Sequence, residues 1–208
     1  MRNLNQIKYL LAKKRTERLL KSIDGPICLN IGCGTDYKEG WINVDNNSDN
    51  NIKKLDLNWD LRNAIPFNDN SVDFIFHEHF MEHLTPSEAL KSIGDFERVL
   101  KPGGVMRVAM PDLEDIFDLY KDKNWKKRPV IKNHGFQFVK TRAEMVNMSF
   151  SWWGHKWLYD WEELCRRLIE VGFDKNNIKR CKNGKSSHQD LNGLETREGS
   201  VLIAEVMK

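Results

Sequence analysis

The chain is predicted to fold as an α/β protein with a doubly wound, mostly parallel sheet and an antiparallel hairpin at its C-terminal edge. Three observations predict this. Short apolar runs alternate with helix-length amphipathic segments, the pattern of strand–helix–strand units. The first run, Ile27–Ile31, ends in Gly32-Cys33-Gly34, a turn that lets the backbone approach a ligand beyond the carboxyl end of a strand. The last two runs, Ile178–Cys181 and Ser200–Met207, have no long crossover helix between them, which favours antiparallel pairing. The expected architecture is Rossmann-like, as one domain over residues 1–208.

The elements follow in order. Residues 4–21 read as a basic helix with Leu4, Ile7, Leu11, Leu19 and Leu20 on a rough apolar stripe, within an N-terminal helical segment 1–24. It is expected to cover the sheet face that a short glycine loop leaves bare, so deletion of residues 1–20 should unfold the domain. Strands are expected at Ile27–Ile31, Trp41–Val44, Lys53–Leu57 and Val72–Phe76. Thr85-Pro86-Ser87-Glu88 is a helix start, with Thr85 as N-cap and Glu88 as the capping-box acid. Lys101-Pro102-Gly103-Gly104 stops that helix before a strand at Val105–Met110. A helix runs from Asp112 to about Lys121, an aromatic and basic insertion spans about 122–157, and Asp160 caps a helix that ends at Gly172.

Composition narrows the function classes. The 208 residues are 40% hydrophobic, enough for a real core, and the net charge of +3 implies no global pull toward nucleic acid. No apolar run is long enough to span a bilayer. Lys8 and Lys13-Lys14-Arg15 interrupt any signal-peptide core. The four cysteines form no C-x-x-C pair, so a reducing cytoplasm is the expected location. Lys121 to Arg142 nevertheless holds eight cations against Asp122 alone, either a solvated face or a surface that attracts an anionic substrate.

The glycine turn and the next strand carry the chemistry. A dinucleotide fingerprint would read G-x-G-x-x-G, but the third glycine position is Tyr37. Asp45 arrives at about half the usual ~20-residue separation, which leaves little room for a helix to hold a pyrophosphate. A ribose-bearing ligand without pyrophosphate fits better. S-adenosyl-L-methionine is the common one, with Asp45 accepting hydrogen bonds from the ribose hydroxyls.

Five segments carry a resemblance: Leu29-Asn30-Ile31-Gly32-Cys33-Gly34; Asn43-Val44-Asp45; Trp59-Asp60-Leu61-Arg62 with Ile65 to Asp73; Glu78-His79-Phe80-Met81-Glu82-His83-Leu84; and Arg98 to Gly104. In this order and spacing the chain resembles the class I S-adenosylmethionine-dependent methyltransferases. Within them it is similar to a type 11-like branch with a shortened glycine-loop helix, a later Gly154-His155-Lys156-Trp157-Leu158-Tyr159-Asp160 segment and an ending like Leu194-Glu195-Thr196-Arg197. Members of that branch are often associated with glycan pathways. The resemblance implies that Asn30, Gly32, Cys33 and Gly34 border the methionine part of the cofactor and that Asp45 holds the ribose. It implies Asp60 and Leu61 at the adenine, with Asp56 as the alternative acid, and His77 and Glu78 at the sulfonium.

His79-Phe80-Met81-Glu82-His83 also matches the H-x-x-E-H signature of zinc proteases. That chemistry needs both histidines on one helical face, whereas here the segment leaves a strand and the helix signal begins only at Thr85. Glu82 and His83 are read as structural, and no metal ligand set is expected. For methyl transfer to a hydroxyl, an imidazole is a suitable base. His79 and His155 are the candidates, with Trp153, Tyr159 and Arg197 as candidate acceptor contacts. The expected acceptor is a small molecule or a glycan-type hydroxyl. An RNA methyltransferase drawn by the basic insertion and a non-catalytic cofactor-binding scaffold are the rival readings. The oligomeric state is not legible.

Overall fold

The computed structural model describes residues 4–48, 51–133 and 135–208, without the side chain of residue 133. The first three residues of the expected helix 1–24 and position 134 of the expected insertion lie outside the described residues.

Helix α1 (Leu4–Leu20) leads into strands β1 (Cys28–Ile31), β2 (Ile42–Asp45), β3 (Leu57–Asn58) and β4 (Val72–Glu78). Then come α2 (Pro86–Val99), β5 (Leu100–Met110) and α3 (Leu113–Lys121). Short helix α4 (Pro129–Asn133), α5 (Arg142–Ser151), α6 (Trp161–Glu170), β6 (Ile178–Arg180) and β7 (Leu202–Met207) complete the chain. The seven strands order as β3-β2-β1-β4-β5-β7-β6, parallel except for β7, which runs antiparallel to both its neighbours. The Rossmann-like sheet with an antiparallel C-terminal edge is therefore the fold.

The register makes the two faces chemically different. Ile42, Leu29, Ile75, Met106, Val206 and Ile178 form one cross-sheet row. Against that apolar face pack Ile93 and Phe96 of α2 and Leu164 and Leu168 of α6. The alternate row is Asn43, Asn30, Phe76, Arg107, Glu205 and Lys179. Right-handed crossovers put the β1–β2 connection on the face opposite α2, because the two connections step across the sheet in opposite directions.

That opposite face corrects one expectation. Helix α1 does not cover it: Leu19 and Leu20 pack on the core shared with α2 and α6. Residues 181–201, between β6 and β7, close the second face instead. Cys181 and Leu194 pack on Phe76, Ala109 and Ile203, and Arg107 donates to the Lys182 and Lys185 carbonyls and to the Glu195 and Glu205 carboxylates. The reason lies in the weak stripe of α1, where Leu4 is 65% and Leu11 64% exposed. Its firm anchors are Thr16, whose hydroxyl donates to the Pro66 carbonyl, and Arg15, which donates to the Asp56 carbonyl at 2.9 Å.

Local signals are otherwise well kept. Thr85 caps α2 with Glu88 in a reciprocal capping box, and the Asp160 side chain accepts from Glu163 N at 2.8 Å. The glycine pair after α2 bends a strand that has already begun at Leu100: a Cβ on Gly104 would lie 2.9 Å from the Lys101 carbonyl oxygen. The third strand shrinks to two residues because Asp56 turns its carboxylate onto Asn43, taking hydrogen bonds from Asn43 N and Nδ2 at 2.8 and 3.0 Å. The expected insertion is a helical cap with its own core, in which Trp125, Ile131, Val139, Met145 and Met148 meet Leu119 of α3. Among the described residues, no helix is long and apolar enough to cross a membrane.

Candidate functional site

The glycine loop and the acid of β2 meet as the sequence suggests. Gly32 and Gly34 both have left-handed backbone (φ +63° and +52°). A Cβ at Gly32 would lie 2.7 Å from the Phe80 ring, while at Gly34 it would meet nothing within 4 Å. Gly34 N donates to Asp45 Oδ2 at 2.6 Å, and Asn46 N donates to Oδ1 at 2.6 Å. Each carboxylate oxygen has a second acceptor site, so the Asp45 carboxylate can still take ribose hydroxyls in the open space beside Gly34. The residues fit an adenosyl ligand.

Polar groups beneath the loop replace the missing helix. Asn30 Nδ2 donates to the Asp36 carbonyl (2.8 Å) and to Asn43 Oδ1 (2.9 Å), and Tyr37 donates to Asp56 (3.0 Å). Asn30 and Asp56 therefore hold the loop from below, the buried Asn30 amide being bonded to Asp36 and Asn43. Cys33 turns inward; burial pushes its thiol up to about 12 and makes it inert. Further along, Arg62 binds both oxygens of Asp60 at 2.8 and 2.7 Å. Those hydrogen bonds hold the Asp60 carboxyl below its usual range. Leu61 is a core residue whose carbonyl accepts from Ser92.

His77 and Glu78 do not reach a ligand together, because β4 runs through both and alternates their side chains across the sheet. His77 is fully buried between Phe80 and Phe96, and neither ring nitrogen has a hydrogen-bond partner among the described residues. Burial drives its pKa down to about 4, so it is a neutral core ring. Glu78 faces the other way and clasps the 181–201 segment, accepting from Thr196 N and Oγ1, Arg197 N and Ser200 Oγ. Burial opposes its ionisation, but the bonds from Ser200, Thr196 and Arg197 prevail and hold its carboxyl below the usual range.

The strand ends at His79, which adopts left-handed backbone (φ +51°). Its Nδ1 lies 3.1 Å from Glu82 Oε1, and its buried Nε2 has no hydrogen-bond partner among the described residues. His79 lines a cavity of about 590 Å³ between the sheet ends and the helical cap. His83, Asp112, Met148, Trp153, His155, Arg197 and Val201 line it too. His155 Nδ1 is 2.8 Å from the Ser149 carbonyl oxygen. Arg197 Nη1 is steered by the Glu78 carbonyl (3.5 Å) and carboxylate (3.3 Å). Four candidates from the sequence, His79, His155, Trp153 and Arg197, thus share one cavity wall. Phe80, the residue after His79, packs on Gly32 of the glycine loop.

Tyr159 does not belong to that wall. Its ring is fully buried in the main core, its hydroxyl has no hydrogen-bond partner among the described residues, and burial pushes its pKa up to about 12. Its backbone bridges Asp112 instead. Two features escape a sequence reading. Asp112, the N-cap of α3, also lines the cavity and pairs with Arg180 at 2.7 Å. Glu82 is buried beside the cavity-lining His79, a position that only the H-x-x-E-H spacing hints at.

Residues 30–108 match the profile of the methyltransferase domain family. No curated protein matches the chain in sequence. Among solved structures, a SAM-dependent methyltransferase from Archaeoglobus fulgidus is 19% identical, with a TM-score of 0.52 over 96% of this chain and 94% of that one. A SAM-dependent methyltransferase from Thermotoga maritima is 15% identical, with a TM-score of 0.50 over 98% and 95%.

Proposed function

We propose that the chain is a class I S-adenosylmethionine-dependent methyltransferase, a reading supported by the match of residues 30–108 to the methyltransferase domain family and by the shared fold, and that it methylates a hydroxyl oxygen of a small-molecule or glycan-type acceptor. The observation that carries this reading is the setting of His79. Glu82 lies at its Nδ1, so the ring keeps its proton there and offers the Nε2 lone pair, the orientation a general base needs. Bound S-adenosylmethionine supplies a methyl group already activated by positive sulfur. The protein then has two tasks. Asp45 and the glycine loop hold the adenosyl part, and His79 Nε2 takes the hydroxyl proton of the acceptor, a contribution on the order of 10²–10⁴-fold. Trp153 offers a ring face for a sugar, Arg197 a fixed cation for an anionic group, and the helical cap keeps water away.

His79→Gln is expected to lower kcat by about 10²–10⁴-fold with unchanged affinity for S-adenosylhomocysteine. Single-turnover assays on nucleotide sugars and titration calorimetry read the two quantities; unaltered turnover removes His79 as the base. All four cysteines are free, in keeping with our placing of the enzyme in the cytoplasm.

One observation favours RNA as a second reading. Phe138, in the basic stretch, and Trp152, which follows α5, stack at 5.8 Å on the surface of the cap, both about half exposed. RNA affinity that falls steeply with salt would favour it over the small-molecule acceptor.

A further inference from the structure

We infer that Glu82, His83 and His155 form a binding site for one divalent transition-metal ion at the edge of the acceptor cavity, which His83 and His155 line. Each residue offers a donor atom, and the three donors lie within 4.8 Å of one another. Two separate segments supply them and are stitched together at this point, since Lys156 N and Trp157 N both donate to the Glu82 carbonyl, at 2.7 and 3.2 Å. The imidazole of His155 is already oriented for ligation. Its Nδ1 faces the Ser149 carbonyl oxygen, which can only accept, so the proton sits there and the Nε2 lone pair is free.

Glu82 provides the independent observation. Its side chain is 1% exposed, Oε1 has only His79 Nδ1 beside it, and Oε2 has no hydrogen-bond partner among the described residues. A buried carboxylate left in that state calls for a cation. His79 alone, 3.1 Å from Oε1, leaves the second oxygen unpaired. A tetrahedral ion with bonds of about 2.0–2.2 Å holds its donors about 3.3–3.6 Å apart, so seating it draws the three side chains together by roughly 1 Å. Two imidazoles and one carboxylate suit zinc, manganese, iron or cobalt better than magnesium or calcium. The ligand set differs from the protease pattern in the sequence: His79 stands beside the ion's carboxylate, and His155 takes the place a second helical histidine would have.

The ion's role rests on the methyltransferase reading: with positions open toward the cavity, it would bind the acceptor oxygen and make its proton easier for His79 to remove. Binding itself is measured without cofactor or acceptor. The full chain, stripped with chelator, is titrated with Zn²⁺ by calorimetry and with Co²⁺ by visible absorption. Expected are one equivalent bound, a raised thermal midpoint, and at least about a tenfold loss of affinity in both Glu82→Gln and His155→Gln. No stoichiometric binding, or affinities equal in wild type and variants, overturns the inference. Should Glu82→Gln fail to fold, His155→Gln decides alone. A parallel titration with S-adenosylhomocysteine keeps failure of the cofactor site distinct from failure of the metal site.

Discussion

On the proposed reading, Asp45 does two jobs with one carboxylate. It already receives the Gly34 and Asn46 amides, and each oxygen keeps a second acceptor site for a ribose hydroxyl. Asp45→Ala is expected to weaken S-adenosylhomocysteine binding by about 1.5–3 kcal/mol, the scale of a hydrogen bond to a charged group, as read by calorimetry on a variant with native circular dichroism. Glu78 makes the opposite case, a carboxylate wholly spent on structure. Its folded-state pKa lies below the ordinary value, so its stabilisation is complete above the unfolded-state pKa of about 4.3 and is lost as pH falls through the folded one. Below about pH 4.3 the thermal midpoint of the wild type should therefore fall more steeply than that of Glu78→Gln; parallel acid slopes would refute this. The contrast also explains what could be read from residues alone. Gly32, Gly34 and Asp45 were legible because one tight turn fixes them. His77 and Glu78 were misread as a pair because their separation by strand pleat depends on β4 continuing two residues beyond its apolar run.

Elements were most legible where their ends are chemically marked. The capping box of α2 and the Asp160 cap of α6 are local hydrogen-bond patterns, and both stand where their residues suggest. Helix α1 carries no such mark, and its docking site depends on partners 41 and 50 residues away. The buried hydroxyl of Thr16 is the discriminating contact. Thr16→Val keeps the shape but leaves the Pro66 carbonyl unpaired, for an expected loss of about 1–3 kcal/mol in urea unfolding. A loss below about 0.5 kcal/mol would mean that α1 adds little to the folded domain. The helical cap was visible only as an insertion, because its core of Trp125 and two methionines has no periodicity that distinguishes it from an exposed aromatic stretch.

At the scale of the whole molecule, the sheet is asymmetric. One face is a conventional apolar core under α1, α2 and α6, and the other is a polar layer closed by residues 181–201. Arg107 is the centre of that layer, fully buried and paired with Glu195 and Glu205. Removing one partner of a buried ion network strands the others, so Arg107→Met should cost about 3–5 kcal/mol in denaturant unfolding; a cost under 1 kcal/mol would show that the covering segment holds without it. The short glycine loop marked that face as bare, but what covers it was not legible, since pairings of residues 88 and 98 positions apart have no local signature.

The strip from 181 to 201 has a double duty. Arg197, Gly199 and Val201 wall the cavity proposed for the acceptor, while Leu194 and Glu195 seal the back of the sheet. Diversification of such an enzyme toward new acceptors would have to rewrite the same ribbon that keeps its interior dry, so selectivity and robustness cannot evolve independently here.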